Sequence, residues 1–255
     1  THEELVKPRL MTAYGRDEHK LAAVHGALWN GGVFLYVPKN VDIEFPIQSL
    51  SFADDAGATF MPHILIVAES NSRVSFVQQA ASLLDGAETG TVLHNSAVEI
   101  FAGPGAHVRY AAVHHMDAAV VDVAYRRAVL DHDARVEWII GDLHTGHTLT
   151  DTKSILKGNG CVSDSKIISV GTGSQRMSLT TGAVHFGKSS ESDMVTRAVM
   201  KEEATAIING ITKIEHGATK ANGQQTEKVL MLSPKARGDA NPILLSDEDD
   251  VKAGH

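Results

Sequence analysis

Histidine is the residue type that most suggests metal binding in this chain, because it accounts for 14 of the 255 residues. His114 and His115 are adjacent, so in a strand their side chains point to opposite faces and do not share one ion. His144 and His147 have the i, i+3 spacing of a ligand pair, but no second Cys/His pair at zinc-finger spacing accompanies them. The spacing therefore favours solvated or hydrogen-bonded surface histidines.

The single cysteine, Cys161, follows the turn formed by residues 158–160. A nucleophilic thiolate needs a nearby base, and the sequence shows no dedicated one. An iron–sulfur cluster usually takes four ligands, so one cysteine does not hold it alone. We therefore expect a structural cysteine. A lone cysteine also excludes an intramolecular disulfide and fits a reducing cytoplasm.

Other catalytic motifs are weak. The glycine-containing segments 103–105 and 171–173 lack the Lys-Ser/Thr pair or the following helix that a phosphate cradle requires. No G-x-S-x-G nucleophile elbow is present. Carboxylates are plentiful, which leaves a β-helical carbohydrate-active enzyme as one alternative. Aromatic residues make up only 5% of the chain, so there are few platforms for sugar stacking, and this alternative is weak.

The bulk composition excludes two classes of partner. The net charge of −8 argues against a nucleic-acid-binding face, which needs excess basic residues. The longest apolar runs, 33–37 and 64–68, have the length of strands and fall far short of the roughly 20 residues of a membrane span. We expect no nucleic acid and no membrane among the partners.

Short helices and strands must position any functional residues. Residues 17–29 have apolar side chains at helical spacing and are followed by two glycines, which predicts a helix and its end. Residues 33–37 are apolar on both alternating faces and precede Pro38, which predicts a strand covered on both sides.

From about residue 60 the chain becomes repetitive. A turn rich in Gly, Asn, Asp or Ser leads into a small residue and then into alternating apolar positions. The valines that follow these turns have spacings of 34, 28 and 26 residues, and they are Val74, Val108, Val136 and Val162. A repeat near 30 residues that contains only short strands and turns is typical of a solenoid. A flat β-sandwich is the alternative, but hairpin dipeptides are few, which favours a parallel β-helix.

The chain stops on His255, in a short strand that follows the acidic turn 247–250. From this abrupt stop we expect the chain to be a fragment of a longer protein. The strands at each end of a β-helix must be capped or paired. The N-terminal helix is suited to one end, and we expect the end at His255, or its side edge, to pair with a partner subunit by strand addition.

Two motifs resemble the SufB/SufD family of iron–sulfur cluster assembly proteins. Near the start, residues 27–41 resemble the entry strand of the family, with the core G-x-F-x-Y-V-P-K at 32–39. The positions that follow the closing pattern of the family are Gly210, Ala221, Gln224, Gln225, Leu230, Met231, Leu232, Ala240, Pro242 and residues 249–255. The resemblance spans nearly the whole chain.

This resemblance implies an all-β fold, a right-handed parallel β-helix with a short N-terminal helical segment. It divides the chain into an N-terminal helical segment at 1–30 and a β-helix core at 31–255, and the C-terminal helical segment of the family is absent. It also implies pairing with a SufB-like subunit through the β-helices. A SufC-like ABC-type ATPase would bind through the missing C-terminal helices.

The resemblance also separates the two branches of the family. SufB-like chains carry a cysteine just after the closing glutamine, whereas this chain has Thr226 after Gln225, so the SufD branch matches better. SufD-like chains contribute a histidine that falls on His255. The resemblance therefore implies that His255 is a metal or cluster ligand. A neutral imidazole is a competent iron ligand, and the remaining ligands would come from a partner.

The function expected from the sequence is a non-catalytic scaffold subunit of the SUF complex, located in the cytoplasm. Its Fe–S cluster is expected to be transient at the subunit interface, with none tightly bound to the isolated chain, which we expect to form a homodimer. Two alternatives stay open: a purely structural β-helix dimerisation subunit, and the carbohydrate-active enzyme.

Overall fold

The computed structural model describes residues 2–84, 88 and 91–255. The helices are α1 (Glu3–Val6) and α2 (Lys20–Leu28). The odd-numbered strands are β1 (Gly31–Val37), β3 (Pro62–Ala68), β5 (Val92–Ala102), β7 (Val120–Leu130), β9 (Thr148–Leu156), β11 (Arg176–His185), β13 (Thr205–Ile214) and β15 (Arg237–Ser246). The even-numbered strands are β2 (Ile47–Ala53), β4 (Arg73–Ser82), β6 (His107–His115), β8 (Arg135–Asp142), β10 (Val162–Gly171), β12 (Glu191–Met200), β14 (Asn222–Met231) and β16 (Lys252–Gly254).

The strands form two parallel sheets of eight, which we call the odd sheet and the even sheet after the numbers of their strands. Each strand pairs with the strand two positions along the chain, so one odd and one even strand make one coil of a solenoid. A sandwich of hairpins would instead pair consecutive strands in antiparallel fashion. The predicted parallel β-helix with a short N-terminal helical segment is therefore confirmed.

The register of the even sheet supports the repeat, with one correction. Val74, Val108 and Val136 lie level with one another on β4, β6 and β8. The next member of this row is Ser163, because Val162 pairs with Arg135. The repeat predicted from the sequence placed Val162 in this row, and that placement was wrong by one residue. A shift of one residue moves a side chain to the other face of a strand.

Alternate residues of each strand face the lumen between the two sheets. On β6 the pattern is regular: Val108, Tyr110 and Ala112 are buried, whereas Arg109 and Val113 are exposed. The main apolar core fills the lumen of the first coils, and a smaller one lies between β11 and β15. The lumen is therefore a packed core, as expected for a solenoid whose sheets each bury one face.

The N-terminal elements differ in detail from the prediction. Helix α2 begins at Lys20, because His19 is its N-cap and accepts a hydrogen bond from the backbone N–H of Leu21 at 3.2 Å. Residues 17–19 of the predicted helix lie outside it. Strand β1 is mostly half-buried, and Val33 and Leu35 pack against the main core, so its two faces are partly covered rather than fully covered as expected.

A buried carboxylate fastens the N-terminal segment to the odd sheet. Glu99 on β5 accepts hydrogen bonds from the backbone N–H groups of Met11, Ala13 and Tyr14 at 2.6, 2.7 and 3.0 Å. The Nε2 of His63 donates to the same carboxylate at 3.0 Å. A carboxylate with several donors is well satisfied even when it is fully buried. No helix in the described part of the chain is long and apolar enough to cross a membrane.

Candidate functional site

The candidate site lies where β16 begins a new coil on β14. Gly223 lies level with Ala253, and Gln224 lies level with Gly254. Continuing this register, His255 follows β16 at the level of Gln225. The side chain of His255 is exposed.

An acidic turn positions this last strand. Glu248 accepts a hydrogen bond from the backbone N–H of Gly217 at 2.9 Å, and this bond is the main reason that its pKa is lowered. The backbone N–H of Lys220 donates to the carbonyl of Asp250 in the same turn. The backbone N–H of Lys252 then donates to the carbonyl of Ala221 at 2.9 Å, which sets β16 on β14. The turn thus brings the chain to the edge of β14 at Lys252, three residues before His255.

Strand β14 presents different groups to its two faces. Gln225 is buried and accepts a hydrogen bond from the hydroxyl of Thr212 at 3.0 Å. Glu227 lies on the same face and is half-buried. Thr226, which stands where SufB-like chains have a cysteine, is exposed on the opposite face. Thr226 is therefore turned away from the side chains at the end of the lumen.

Glu227 occupies a space left by a glycine. A Cβ added to Gly210 on β13 would overlap the Oε1 of Glu227. Burial raises the pKa of Glu227, while the nearby His255 acts in the opposite direction. A half-buried carboxylate and the imidazole of His255 thus lie close enough to influence each other electrostatically. Sequence reasoning missed Glu227, although the period-two alternation starting from Gln225 could have indicated it.

The strands around this site expose apolar side chains. Their exposed fractions lie between 37% and 58%, and the residues are Leu230, Met231, Leu232, Ile243, Leu244 and Leu245. We call this set the apolar end surface. It belongs to β14, to Leu232 directly after β14, and to β15, and these are the last long strands of the even and odd sheets in this chain. Clustered apolar exposure of this kind is typical of interaction surfaces.

The histidines at 114 and 115 separate as expected but differ in environment. They do point to opposite faces, because His115 is exposed whereas His114 is fully buried. The expectation of a surface histidine was wrong for His114, because partners from a neighbouring strand satisfy it inside the fold. Its Nδ1 donates to Asp122 at 2.6 Å, and its Nε2 accepts from Arg126 at 3.3 Å.

His94 completes a buried cluster with His114 and Asp122. One ligand atom from each residue lies within 4.8 Å of the others, a grouping that could hold a metal ion. However, Arg126 donates to the Nε2 of His114, so the Nδ1 of that ring carries the proton given to Asp122. His94 donates from Nδ1 to the other carboxylate oxygen at 2.6 Å. These protons occupy the positions where an ion would bind, which favours a hydrogen-bonded network.

The pKa shifts of the residues in this cluster agree with a hydrogen-bonded network. Burial alone would raise the pKa of Asp122, but His114 and His94 hold it well below its usual range. Burial lowers the pKa of His114 and outweighs the opposing effect of Asp122. A charged Asp122 that accepts hydrogen bonds from both rings, with the His114 ring neutral, agrees with these shifts.

The other sequence candidates do not form a metal site. His144 is buried, and its Nε2 lies 2.7 Å from the Thr148 hydroxyl, so the surface expectation was wrong for this residue as well. The Nδ1 of His147 instead accepts from the backbone N–H of Arg176 at 3.1 Å. The two rings therefore serve separate local contacts.

Cys161 is a structural residue, as expected. Its side chain is fully buried, and the thiol donates to the carbonyl of Gly158 at 2.9 Å. Burial raises the pKa of this thiol to about 12, so the nucleophilic thiolate is scarcely populated near neutral pH.

The long solenoid and the coil that carries His255 define a β-helical protein with a candidate site in that coil. Residues 51–255 match the family model described as the SufBD core domain of the SUF system for FeS cluster assembly. The chain belongs to the SufB/SufD family, which confirms the resemblance found in the sequence.

Curated relatives match the whole of this chain. It is 44% identical over 256 residues to the iron–sulfur cluster assembly protein SufD of Bacillus subtilis, and it covers 58% of that protein. It is 25% identical over 257 residues to an iron–sulfur cluster assembly SufBD family protein of Staphylococcus haemolyticus, of which it covers 54%. The chain thus spans somewhat more than half the length of these relatives.

Proposed function

We propose that this chain is the β-helical part of a non-catalytic scaffold subunit for iron–sulfur cluster assembly, acting in the cytoplasm. The observation that carries the proposal is the position of His255. It follows the strand that starts a new coil on β14, beside a half-buried carboxylate and the apolar end surface. Membership of the SufB/SufD family supports the same role.

The apolar end surface is the region proposed to pair with a SufB-like subunit. Its leucines, isoleucine and methionine would be removed from water on association, which is favourable at roughly 25 cal/mol per Å² of apolar surface. The parallel strands β14 and β15 offer backbone groups for strand addition. A homodimer of the isolated chain would use the same surface.

The proposed chemistry of His255 is ligation of iron in a cluster that is the cargo of the complex. One imidazole supplies one ligand, so the partner subunit must supply most of the others. An interface site of this kind would also allow release, because separating the subunits removes ligands from the cluster. A SufC-like ATPase, bound through the longer protein's C-terminal segment, would drive that separation.

The test uses the full-length protein co-expressed with its SufB-like and SufC-like partners and purified without oxygen. Iron content and visible absorbance are compared for wild type and His255→Ala. The matched control is His216→Ala, because His216 is also exposed and lies near the acidic turn, 3.7 Å from Glu248. We expect His255→Ala to lose the cluster while the complex stays intact, and His216→Ala to retain it.

Two results would count against the proposal. Equal cluster content in all three proteins would support the purely structural alternative, in which the chain only holds the complex together. If the chain forms no complex with these partners, the scaffold role itself is wrong. Cleavage of a glycan by the protein alone would favour the carbohydrate-active enzyme.

A further inference from the structure

Glu227 is a half-buried acid whose carboxylate is not hydrogen-bonded by another side chain in the described part of the chain. It faces the lumen side of β14 between Gln225 and Val229. Within residues 2–84, 88 and 91–255, its carboxylate has no hydrogen bond from another side chain and no ion pair. Burying a carboxylate without such partners costs free energy. Burial correspondingly raises its pKa. An unfavourable group of this kind is a candidate for a functional role.

The fold fixes where this carboxylate lies. Gly210 on β13 leaves open the space into which the Glu227 side chain extends. A Cβ at residue 210 would overlap Oε1 of Glu227, come within 2.9 Å of its Cδ, and come within 3.4 Å of Oε1 of Gln225. The carboxylate therefore occupies a defined cradle between the two sheets, whereas an exposed surface acid samples many positions.

His255 lies next to this cradle. The register of β16 on β14, continued by one residue, brings His255 level with Gln225, two residues before Glu227 on the same strand face. His255 also opposes the effect of burial on the pKa of Glu227. In the described part of the chain they make no direct ion pair within 4.0 Å. Adjacent ligand atoms at roughly 2.0–2.2 Å from one ion, the range for zinc, lie roughly 3–3.5 Å apart, so the exposed imidazole of His255 would turn toward Glu227 to share an ion.

We propose that Glu227 is a second metal ligand supplied by this chain, an oxygen donor beside the His255 nitrogen at the cluster assembly site. The inference rests on the proposed function and adds a residue to it. An imidazole with a carboxylate suits Fe(II), whereas thiolates suit a completed iron–sulfur cluster. The chain would therefore hold incoming iron with nitrogen and oxygen, and the partner would bring the sulfur-rich part of the site.

The orientation of Thr226 agrees with this assignment. Thr226 takes the cysteine position of SufB-like chains but is exposed on the face opposite Gln225 and Glu227. A hydroxyl at that position does not share the cradle beside Gly210. The side chain of β14 that fills the cradle is Glu227.

The experiment measures Co(II) binding, as a spectroscopic substitute for Fe(II), by the full-length complex purified without oxygen. The variants are Glu227→Gln, which keeps the side-chain size, and Gly210→Ala, which adds the Cβ that would displace the carboxylate. The control is Glu191→Gln, because Glu191 is an exposed acid on the adjacent strand β12. We expect Glu227→Gln and Gly210→Ala to weaken binding at least tenfold, by rough analogy with the loss of metal-site partners, and Glu191→Gln to leave it unchanged.

The outcomes separate this inference from the proposed function. If His255→Ala abolishes binding and Glu227→Gln does not change it, Glu227 is not a ligand, but the proposed function stands. If neither variant changes binding, both are wrong. Should Glu227→Gln prevent assembly of the complex, Glu227→Asp keeps the charge and withdraws the oxygen by one methylene. Weakened Co(II) binding by that intact complex would support the ligand role, and unchanged binding would overturn it.

Discussion

The two halves of the lumen are built from different side chains, and one row of the even sheet shows the change. From β4 to β8 the inward residues at one level are Phe76, Tyr110 and Trp138. In the following coils the same level carries Ser165, Met194 and Gln225. The early coils are thus filled by aromatic rings, whereas the later coils carry smaller or polar groups.

The aromatic half is held by apolar contact. The rings of Phe76 and Tyr110 stack with centroids 5.9 Å apart, and those of Tyr110 and Trp138 meet edge to face at 5.3 Å. Such pairs contribute roughly 0.5–1.5 kcal/mol beyond the burial of their surface. The N-terminal segment, fastened by Glu99, covers part of the outer face of the odd sheet in this same half.

The later half is held more by hydroxyl pairs across the lumen. Thr181 and Thr196 lie 3.2 Å apart, and the hydroxyl of Thr212 donates to Gln225 at 3.0 Å. Along the row that begins at Phe76, the side chains therefore become less aromatic and more polar toward the coil that carries Glu227 and His255. We expect the first half to supply the larger share of the stability, and the polar end of the second half to be the place of the proposed ion site.

The largest effect expected from this comparison is that of Trp138→Ala. Trp138 is 1% exposed, and its indole N–H donates to Ser154 at 2.9 Å. Truncating a buried tryptophan typically costs about 3–5 kcal/mol in the free energy of unfolding. The control is Ser165→Ala, at the same level one coil later, which should cost less than about 1 kcal/mol. Denaturant unfolding of both variants gives the comparison, and similar small losses would show that the aromatic half is not the main source of stability.

Much of the fold could be predicted from the sequence, because strand faces follow a period of two. Turns, small residues and alternating apolar positions repeat often enough to indicate a solenoid. The sequence defines the register of each strand less well, as the one-residue error at Val162 shows. Near residue 161 the period-two pattern fits equally well after a shift of one residue, and the backbone pairing of β10 with β8 decides between the two registers.

The site was predictable only in part. His255 was found through the family resemblance, because spacing alone gives a lone histidine no role. His114 was misjudged, because Asp122 and Arg126 lie 8 and 12 residues away and reach it only once β6 and β7 lie in the same coil. Glu227 was missed for a similar reason. The space that its side chain occupies is left open by Gly210, which lies on the other sheet.

Acid should destabilise both halves through one buried histidine in each. Burial lowers the pKa of His25, which bridges α2 to the odd sheet, and that of His185 in the later lumen, in both cases to about 4. Both rings are neutral in the folded protein above that pH, whereas the unfolded chain binds protons below about 6.5. Stability is therefore fully present above pH 6.5 and falls as the pH drops toward 4, by up to about 3 kcal/mol for each group.

Variants separate the two contributions. The unfolding free energy is measured at pH 7 and pH 4.5 for wild type, His25→Asn and His185→Asn, with the exposed His132→Asn as the control. Buried carboxylates with lowered pKa values also lose stability in acid, so the informative quantity is the difference between variant and wild type. Each buried-site variant should show a smaller loss on acidification than wild type. An unchanged loss for His185→Asn would mean that its ring is already protonated or hydrated in the later lumen.

The smallest expected change in stability concerns the two hydroxyls of Thr181 and Thr196 in the later half. Thr196→Val leaves the Thr181 hydroxyl without this partner and should cost about 1–2 kcal/mol, because a buried polar group then loses its hydrogen bond. Thr181→Val should cost a similar amount. The double variant removes both hydroxyls, so its loss should be clearly smaller than the sum of the single losses. A double-mutant cycle measures this coupling. Strictly additive losses would mean that each hydroxyl is satisfied independently, and the later lumen would then be a hydrated space in which the pair contributes nothing to stability.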